Sequence, residues 1–141
     1  METTVVQKSL VVNDKGEILI LRRSKTDPRR PLQWDLPGGM LEAAEGMIEG
    51  VEREIIEETG LKVTGTHVIY SKTEFRIWNG GANEGSVVFL LYASHTDAAD
   101  VTISHEHSEY DWKTIEDALP LFEYPLHLEY LQYVLKHKVA L

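Results

Sequence analysis

Three glutamates lie within five residues of one another: Glu54, Glu57 and Glu58. If this segment is helical, steps of three and four residues place the three carboxylates on one arc of the helix. Carboxylates this close repel one another, and partial burial increases the cost unless one of them is protonated or a cation is bound. Hard oxygen ligands suit Mg²⁺ or Mn²⁺. The spacing therefore predicts a divalent-metal site, although a solvated acidic helix face paired with Arg53 would show the same spacing.

These glutamates belong to a longer pattern: a glycine, five residues, a glutamate, seven residues, then Arg-Glu-aliphatic-any-Glu-Glu-any-Gly-aliphatic. The pattern resembles the signature of the Nudix hydrolase family, with no mismatch. A chance match is on the order of 10⁻¹⁰ per starting position at typical residue frequencies, so the resemblance is specific. Ala44 and Gly50 depart from the residues common in relatives, and neither change removes a carboxylate. The matching residues are Gly39, Glu45, Arg53, Glu54, Ile55, Glu57, Glu58, Gly60 and Leu61.

The resemblance implies a metal-dependent enzyme that hydrolyses a diphosphate bond in a nucleoside diphosphate-linked substrate. The chain's compact length leans toward nucleoside triphosphates, whose hydrolysis would make it a pyrophosphohydrolase. By resemblance, the three glutamates coordinate Mg²⁺, or Mn²⁺ as a substitute, together with the main-chain carbonyl of Gly38. Arg53 lies off the carboxylate arc and is expected to orient a glutamate, whereas Glu45 is expected to pair with Arg53 or to fix the preceding loop.

Members of the family often use one more glutamate, from a loop near the end of the sheet, as a metal ligand or general base. The segment from Ser104 to Trp112 resembles that loop. Glu106 is the first candidate and Glu109 the second, and a base there must reach the attacking water through one hydrogen bond. We expect His105 and His107 to be exposed loop residues rather than ligands.

Basic and aromatic residues outside the signature could bind the substrate. Guanidinium groups offer paired donors to phosphate oxygens, and aromatic rings can stack on a base. A solvated basic loop and ordinary core aromatics would look the same in the sequence. The candidates are Arg23, Arg29 and Arg30 for phosphate, and Trp34, Phe75 and Trp78 for stacking.

Composition limits the other functions. The 141 residues predict one domain, and the formal charge of −9 disfavours nucleic-acid binding, which needs a basic surface. No cysteine is present, which excludes disulfides and thiolate ligands. We expect no membrane span, a cytoplasmic location and a small nucleotide as partner. Oligomeric state stays open, with a homodimer as one option because dimers are frequent among relatives.

The elements that must position these residues predict an α/β (α+β) fold, an α/β/α sandwich of the Nudix type with a mixed central β-sheet. Apolar runs predict a hairpin, two long strands, a short strand near Tyr110 and a brief helix around Ile115. Ile48, Val51, Ile55 and Thr59 are expected to form the buried stripe of the carboxylate helix, with Leu128, Leu131, Val134 and Leu135 as core in the last helix. The expected segments are the hairpin 3–12 and 17–21, a loop 24–33, a turn 34–39, the carboxylate helix 46–59 ending at Gly60, strands 61–77 and 86–94 around a flexible lid at 79–85, and a helix from Pro125.

Several alternatives remain at this stage. Other members of the family act on ADP-ribose, nucleotide sugars or dinucleoside polyphosphates, and some relatives sense nucleotides without turnover. Loss of signature carboxylates would favour a sensing module, and none is lost here. The isopentenyl diphosphate isomerases also resemble Nudix proteins, but this chain has no cysteine to serve as their acid.

Overall fold

A seven-stranded mixed sheet with three α-helices makes up the part of the chain that the computed structural model describes, residues 2–141. None of the helices in this range is long and apolar enough to cross a membrane. Short 3₁₀ turns occur at Asn79–Gly81 and Leu119–Leu121. The elements are β1 (Glu2–Val12), β2 (Ile18–Arg23), β3 (Trp34–Asp35), β4 (Gly38–Met40), α1 (Met47–Thr59), β5 (Thr64–Trp78), β6 (Asn83–His95), β7 (His107–Lys113), α2 (Ile115–Ala118) and α3 (Pro125–Lys136).

The strands lie in the order β3-β2-β1-β6-β5, while β4 pairs with β1 and β7 with β2. Only β1 and β6 run parallel, and the remaining pairs are antiparallel. The predicted hairpin is confirmed at its turn, but its strands pair only at Val12↔Ile18. They then diverge because β4 pairs with β1 from Val6 to Lys8, and β7 and β3 pair with β2. This divergence opens the sheet where the signature glycines enter.

The core lies in two layers, one on each face of the sheet. Leu10 and Val12 pack with α2 and α3, whereas the intervening Val11 packs with α1, as the alternation of side chains along a strand requires. The predicted helix-sheet-helix arrangement is therefore confirmed. In α3, Leu131 and Val134 are buried, while Leu128 and Leu135 are partly buried against the same core.

Helix α1 ends as predicted, with Gly60 in the left-handed conformation at φ 72°. Val51, Ile55 and Thr59 are fully buried, but Ile48 is 48% exposed, so its assignment to the buried stripe was wrong. The core on this face begins one turn later, at Val51.

Gly50, inside α1, lies against side chains of the preceding loop. A Cβ at Gly50 would lie 2.7 Å from Oε1 of Glu45 and 2.8 Å from Cδ1 of Leu41. Both atoms belong to the loop that carries the signature into α1. The glycine thus allows Glu45 to lie against the first turn of the helix.

Two predicted connections are more regular than expected. The segment from Trp34 to Gly39 contains two short strands, β3 and β4, rather than a single turn. The expected flexible segment 79–85 is shorter, because β6 already begins at Asn83 and pairs with Trp78. The connection between β5 and β6 is therefore a hairpin tip.

Candidate active site

Two of the three glutamates on the arc, Glu54 and Glu58, approach the backbone of β4. Glu58 is 6% exposed, and its Oε1 accepts a hydrogen bond of 2.8 Å from the backbone N–H of Gly38. A Cβ at Gly39 would lie 2.9 Å from the carboxylate carbon of Glu54, so any larger residue there would displace that carboxylate from its present position. Gly38 adopts φ 136°, a conformation that L side chains rarely adopt. The signature glycines therefore let the two carboxylates reach the backbone.

Glu57 lies at the outer end of the same arc. Its side chain is 57% exposed, and both carboxylate oxygens accept hydrogen bonds of 3.2 Å from Nη1 of Arg53. The three glutamates therefore form a cluster with two ends. Glu54 and Glu58, next to the backbone of β4, are the inner pair, and the exposed Glu57 is the outer glutamate. Among residues 2–141, no three acidic or histidine side chains already lie close enough to one another to bind a metal ion.

Arg53 has the contacts of an orienting residue. Its Nε and Nη2 donate to the two carboxylate oxygens of Glu45 at 2.5 and 3.1 Å, and its Nη1 lies 3.2 Å from Oε1 of Glu54. The hydrogen bonds to Glu45 raise the pKa of Arg53 further above its ordinary value and lower the pKa of Glu45. Glu45 also accepts from the backbone N–H of Glu42 at 3.1 Å. Both expectations for Glu45, pairing with Arg53 and fixing the loop, match these contacts.

Lys8 lies beside the inner pair, and the sequence gave no reason to place it there. It is 8% exposed, and its Nζ lies 3.0 Å from the carbonyl oxygen of Leu36 and 3.3 Å from that of Gly38. The same ammonium is 3.3 Å from Oδ1 of Asp35. The available signal was a lysine within a strand that is rich in β-branched residues. Its position means that a positive charge partly compensates the inner carboxylates.

Asp35 is the centre of a buried charged network that the sequence also failed to reveal. It is 1% exposed, accepts a hydrogen bond of 2.6 Å from Nη1 of Arg23, and lies 3.4 Å from Nδ1 of His127. Burial alone would raise the pKa of Asp35, but Lys8, His127 and the arginines outweigh it and hold that pKa well below its usual range. Burial lowers the pKa of His127 to about 3. Asp35 therefore stays ionised and fixes the cations around it.

The protein only partly compensates the charge that the inner carboxylates would carry when both are ionised. Burial raises the pKa of Glu58 to about 8, against the opposing charge of Lys8, and burial also raises the pKa of Glu54. A hard divalent cation binding between them and the Gly38 carbonyl would supply the missing charge. The donor set fits such an ion, since it consists of oxygen atoms. Glu57 would join it after leaving Arg53.

The loop before β7 gives one correction. His107 is 6% exposed, so the expectation of an exposed loop histidine was wrong for this residue, whereas His105 is exposed. A register shift between Arg22 and Arg23 brings His107 into the ladder with β2, and its Nε2 lies 3.9 Å from Oε2 of Glu58. Burial lowers the pKa of His107, which favours the neutral ring beside the carboxylate.

The two candidate loop glutamates have different surroundings. The side chain of Glu106 is exposed, while its main-chain carbonyl accepts a hydrogen bond of 3.0 Å from the backbone N–H of Ser24. Glu109 lies within β7, where its Oε1 accepts from Nη1 of Arg22 at 3.4 Å. Glu106 thus directly precedes the buried His107, whereas Glu109 is paired with a strand residue.

A cavity of about 730 Å³ opens beside Gly39. Its lining residues include four cations and, among the described residues, no carboxylate. Arg30 lies over the ring of Tyr124 at 3.9 Å, and its buried Nη1 has no hydrogen-bond partner in the described structure. The cations are Lys8, Arg29, Arg30 and Arg76, and the aromatic residues Trp78 and Tyr124 also line the cavity.

Three predicted substrate residues lie outside this lining. Arg23 donates to Asp27 and Asp35, Trp34 packs against the core on the α3 side, and Phe75 is exposed on β5. Arg29, Arg30 and Trp78 are part of the lining. The structure thus brings together two of the three predicted arginines and one of the three predicted aromatics.

A glutamate-bearing helix that follows a glycine pair, next to a cationic cavity, defines an enzyme site for phosphate anhydrides. The NUDIX domain model matches residues 4–134. Nucleoside triphosphatase NudI from Klebsiella pneumoniae (strain 342) is 30% identical over 112 residues, which cover 76% of this chain and 79% of that protein. The chain belongs to the Nudix family and is a Nudix hydrolase, which acts on diphosphate bonds.

Solved structures agree with this assignment. The MutT protein from Methanosarcina mazei Go1 has a TM-score of 0.76 and 28% identity, over 98% of this chain and 96% of that one. A MutT protein from Bacillus halodurans has a TM-score of 0.73 at 24% identity, over 94% of this chain and 82% of that one. The second likeness concerns the fold alone. Both cover nearly the whole described sheet and its helices.

Proposed function

We propose that this hydrolase is a Mg²⁺-dependent pyrophosphohydrolase of nucleoside triphosphates. The observation that carries the proposal is the cavity beside Gly39, which is lined by cations in a protein of net charge −9. A cavity of this size and charge suits a small, highly anionic ligand rather than an extended polymer. The similarity to a nucleoside triphosphatase supports the same substrate class.

The metal would be held by the signature residues. Glu54, Glu57 and Glu58 would supply carboxylates and Gly38 its main-chain carbonyl, and Glu106 is the candidate either for a further ligand or for the general base. When bound at these residues, Mg²⁺, or Mn²⁺ as a substitute, would supply positive charge to the diphosphate and acidify a water molecule. Arg53 would keep Glu54 in place through its contact of 3.2 Å and would act as a positioning residue, while Glu57 would exchange its contact with Arg53 for the ion.

The cavity would orient the nucleotide with its phosphates toward Gly39. Arg29 and Arg30 would bind phosphate oxygens, which suits the unpartnered Nη1 of Arg30. Trp78 at the far wall would stack on the base. Arg23 contributes by fixing Asp35, and Trp34 by packing from β3 against the core on the α3 side, so their roles in substrate binding are indirect.

Proton transfer requires a base near the attacking water. We assign this role to Glu106 because its exposed side chain lies in the loop that directly precedes His107, which approaches Glu58. Glu109 is the second choice, since it is already bonded to Arg22. An exposed carboxylate can accept a proton from water and release it to solvent after each turnover.

A panel of nucleotide substrates assayed with Mg²⁺ tests the proposed function. Nucleoside triphosphates, ADP-ribose, nucleotide sugars and dinucleoside polyphosphates would be compared at equal concentration, and products separated by ion-exchange chromatography. We expect the highest kcat/KM for nucleoside triphosphates, release of nucleoside monophosphate and pyrophosphate, and loss of turnover in excess chelator. Preference for another substrate class, or release of phosphate instead of pyrophosphate, would overturn the assignment.

A matched pair of variants tests the cavity itself. Arg29 and Lys25 are both exposed cations of the same loop, but only Arg29 lines the cavity. We expect Arg29→Gln to raise KM about tenfold, as loss of one charge-assisted contact to phosphate should, and Lys25→Gln to leave KM within about twofold. Equal effects of the two substitutions would show that only general charge matters and would argue against phosphate binding here.

A further inference from the structure

Strand β5 forms one edge of the sheet and has no strand on its outer side within residues 2–141. Its pairing with β6 shifts register before Tyr70 and is then uninterrupted from Tyr70↔Leu91 to Trp78↔Asn83. The outer edge of this stretch therefore presents a regular row of unpaired backbone groups. Proteins usually protect such an edge with bulges, proline or short length, because it is a template for another strand. None of these devices occurs between Tyr70 and Trp78.

The same stretch carries large exposed apolar side chains. Phe75 is 58% exposed, Ile77 is 62% exposed and Trp78 is 37% exposed. If a strand were added to the edge, each of these residues would bury apolar surface that is now exposed to water. Charged residues alternate with them, namely Lys72, Glu74 and Arg76. Such charges deter pairing with an arbitrary strand, and they therefore select the partner.

A second copy of this chain must meet a geometric condition. In an antiparallel pair, residues that face each other have the same hydrogen-bonding orientation, and that orientation alternates along each strand. When a strand pairs with its own copy about a two-fold axis, only arrangements in which one residue faces itself satisfy this condition. Each allowed register can therefore be named by its central residue, which lies on the two-fold axis and faces its own copy.

Charge excludes most of these registers. Centring on Lys72, Glu74 or Arg76 places each of those residues opposite its own copy, so like charges face one another. Two registers pair several residues on each side of the axis without placing like charges opposite one another. One is centred on Thr73 and the other on Phe75. The Thr73 register pairs Phe75 with Ser71 and leaves Trp78 outside the pairing. The Phe75 register includes all three exposed apolar residues.

We propose that two copies of this chain pair antiparallel through residues 72–78, with Phe75 facing Phe75 of the partner subunit across the two-fold axis. Glu74 then faces Arg76 of the partner subunit, and Thr73 faces Ile77 of the partner subunit. Lys72 faces the indole of Trp78 of the partner subunit. Opposite charges and aromatic pairs directly across a ladder stabilise it. Because Arg76, Ile77 and Trp78 also line the cavity, pairing would fix one wall of the nucleotide site.

Single-cysteine variants test the register, because the chain contains no cysteine of its own. Residues facing each other across the axis have Cα atoms about 4.5 to 5.5 Å apart, within the range that a disulfide spans. In the proposed register, Phe75→Cys should form a disulfide-linked dimer under mild oxidation. Thr73→Cys should not, since the two copies of residue 73 lie about 13 Å apart along the strands.

Charge exchange tests the contacts without a covalent link. The wild-type protein should sediment at twice its monomer mass of 16.0 kDa. Glu74→Arg should give a monomer, because an arginine would then face Arg76 of the partner subunit. The double variant Glu74→Arg, Arg76→Glu should restore the dimer. Glu74 and Arg76 also pair within one chain at 2.8 Å, and the exchange restores that pair as well, so the informative result is a Glu74→Arg monomer that keeps the circular dichroism spectrum of the folded protein.

Three results would overturn the proposal: a wild-type monomer at all concentrations tested, cross-linking of Thr73→Cys in preference to Phe75→Cys, or a dimer unaffected by Glu74→Arg. The last two would assign the dimer to another register or another surface. Circular dichroism of each variant separates loss of association from loss of folding. The outcome is independent of turnover, so it does not depend on the substrate proposed above.

Discussion

The inner and outer ends of the acidic cluster differ in how their charge is compensated. At the inner end, Glu58 is nearly excluded from water and faces a backbone N–H and the ammonium of Lys8. At the outer end, Glu57 is largely exposed and is bonded to Arg53 on both oxygens. Glu57 and Glu58 are adjacent and identical in type, and yet Glu58 is buried, which raises its pKa to about 8, whereas the side chain of Glu57 is 57% exposed.

This difference shows that the surroundings decide what each carboxylate contributes. A solvated ion pair is worth little, with a median of about 0–1 kcal/mol, so Glu57 can exchange Arg53 for another cation at small cost. Buried Glu58 has few alternatives, because burial penalises its charge while Lys8 only partly compensates it. The inner end is therefore the part of the site where a bound divalent ion would change the electrostatics most.

The largest expected effect comes from replacing the two adjacent glutamates separately. We expect Glu58→Gln to lower kcat about a thousand-fold, the scale of losing one preorganised electrostatic group. Glu57→Gln should lower it about ten- to a hundred-fold, because its solvated position contributes less. Steady-state kinetics at saturating Mg²⁺ would measure both. Near-normal turnover in both variants would contradict the proposed metal ligands, and a larger effect at Glu57 would reverse the comparison.

A second prediction compares stability at the two ends. Asp35→Asn removes the buried anion that holds Lys8 and Arg23, so we expect it to lower the free energy of unfolding by about 3 kcal/mol, or Tm by about 10 °C. Glu42, 3.6 Å from Arg53 and 69% exposed, is the matched control at the outer end. Glu42→Gln should change the free energy by less than about 0.5 kcal/mol. Thermal unfolding at pH 7 would measure both variants. Equal losses of stability in Asp35→Asn and Glu42→Gln would contradict the prediction, because they would mean that burial makes no difference.

The sequence predicted those features of the site that depend on residues close together in the chain. The helix, its end at Gly60 and the pairing of Arg53 with Glu45 depend on residues within one or two turns, and spacing along a helix determines which of those side chains meet. The layered mixed sheet also followed from the order and apolar pattern of the segments. Local spacing therefore predicted the outer end of the site well.

The charged network beside the inner pair could not be predicted in the same way. Lys8, Asp35 and His127 come from β1, β3 and α3, and their contact depends on the divergence of β1 from β2. That divergence is set by the pairing of β4 and β7, which no local pattern specifies. The burial of His107 likewise depends on a register shift between β7 and β2. Long-range pairing therefore built the charged network that sequence reasoning missed.

A third comparison concerns the two loop glutamates. We expect Glu106→Gln to lower kcat about ten- to a hundred-fold, as loss of a general base does, and Glu109→Gln to change it less than about threefold because Glu109 is paired with Arg22. The pH dependence of kcat separates the two roles, since loss of a base should remove the acidic limb of the profile. If Glu109→Gln had the larger effect, the base would lie in β7 rather than in the loop.

The smallest effect concerns Asp27, at the periphery of the buried network. Burial would raise the pKa of Asp27, but the backbone N–H groups of Arg29 and Arg30 and the guanidinium of Arg23 lower it to about 2. A carboxyl group with a depressed folded-state pKa stabilises the protein above its ordinary pKa of 3.8, and this contribution is lost as pH falls toward 2. We expect Asp27→Asn to lower Tm by about 3 °C at pH 6 and the difference from wild type to shrink between pH 4 and pH 2. Thermal unfolding followed by circular dichroism across that range would measure it. A difference that stayed constant down to pH 2 would mean that packing of the loop, rather than its ionised carboxylate, stabilises this edge of the network.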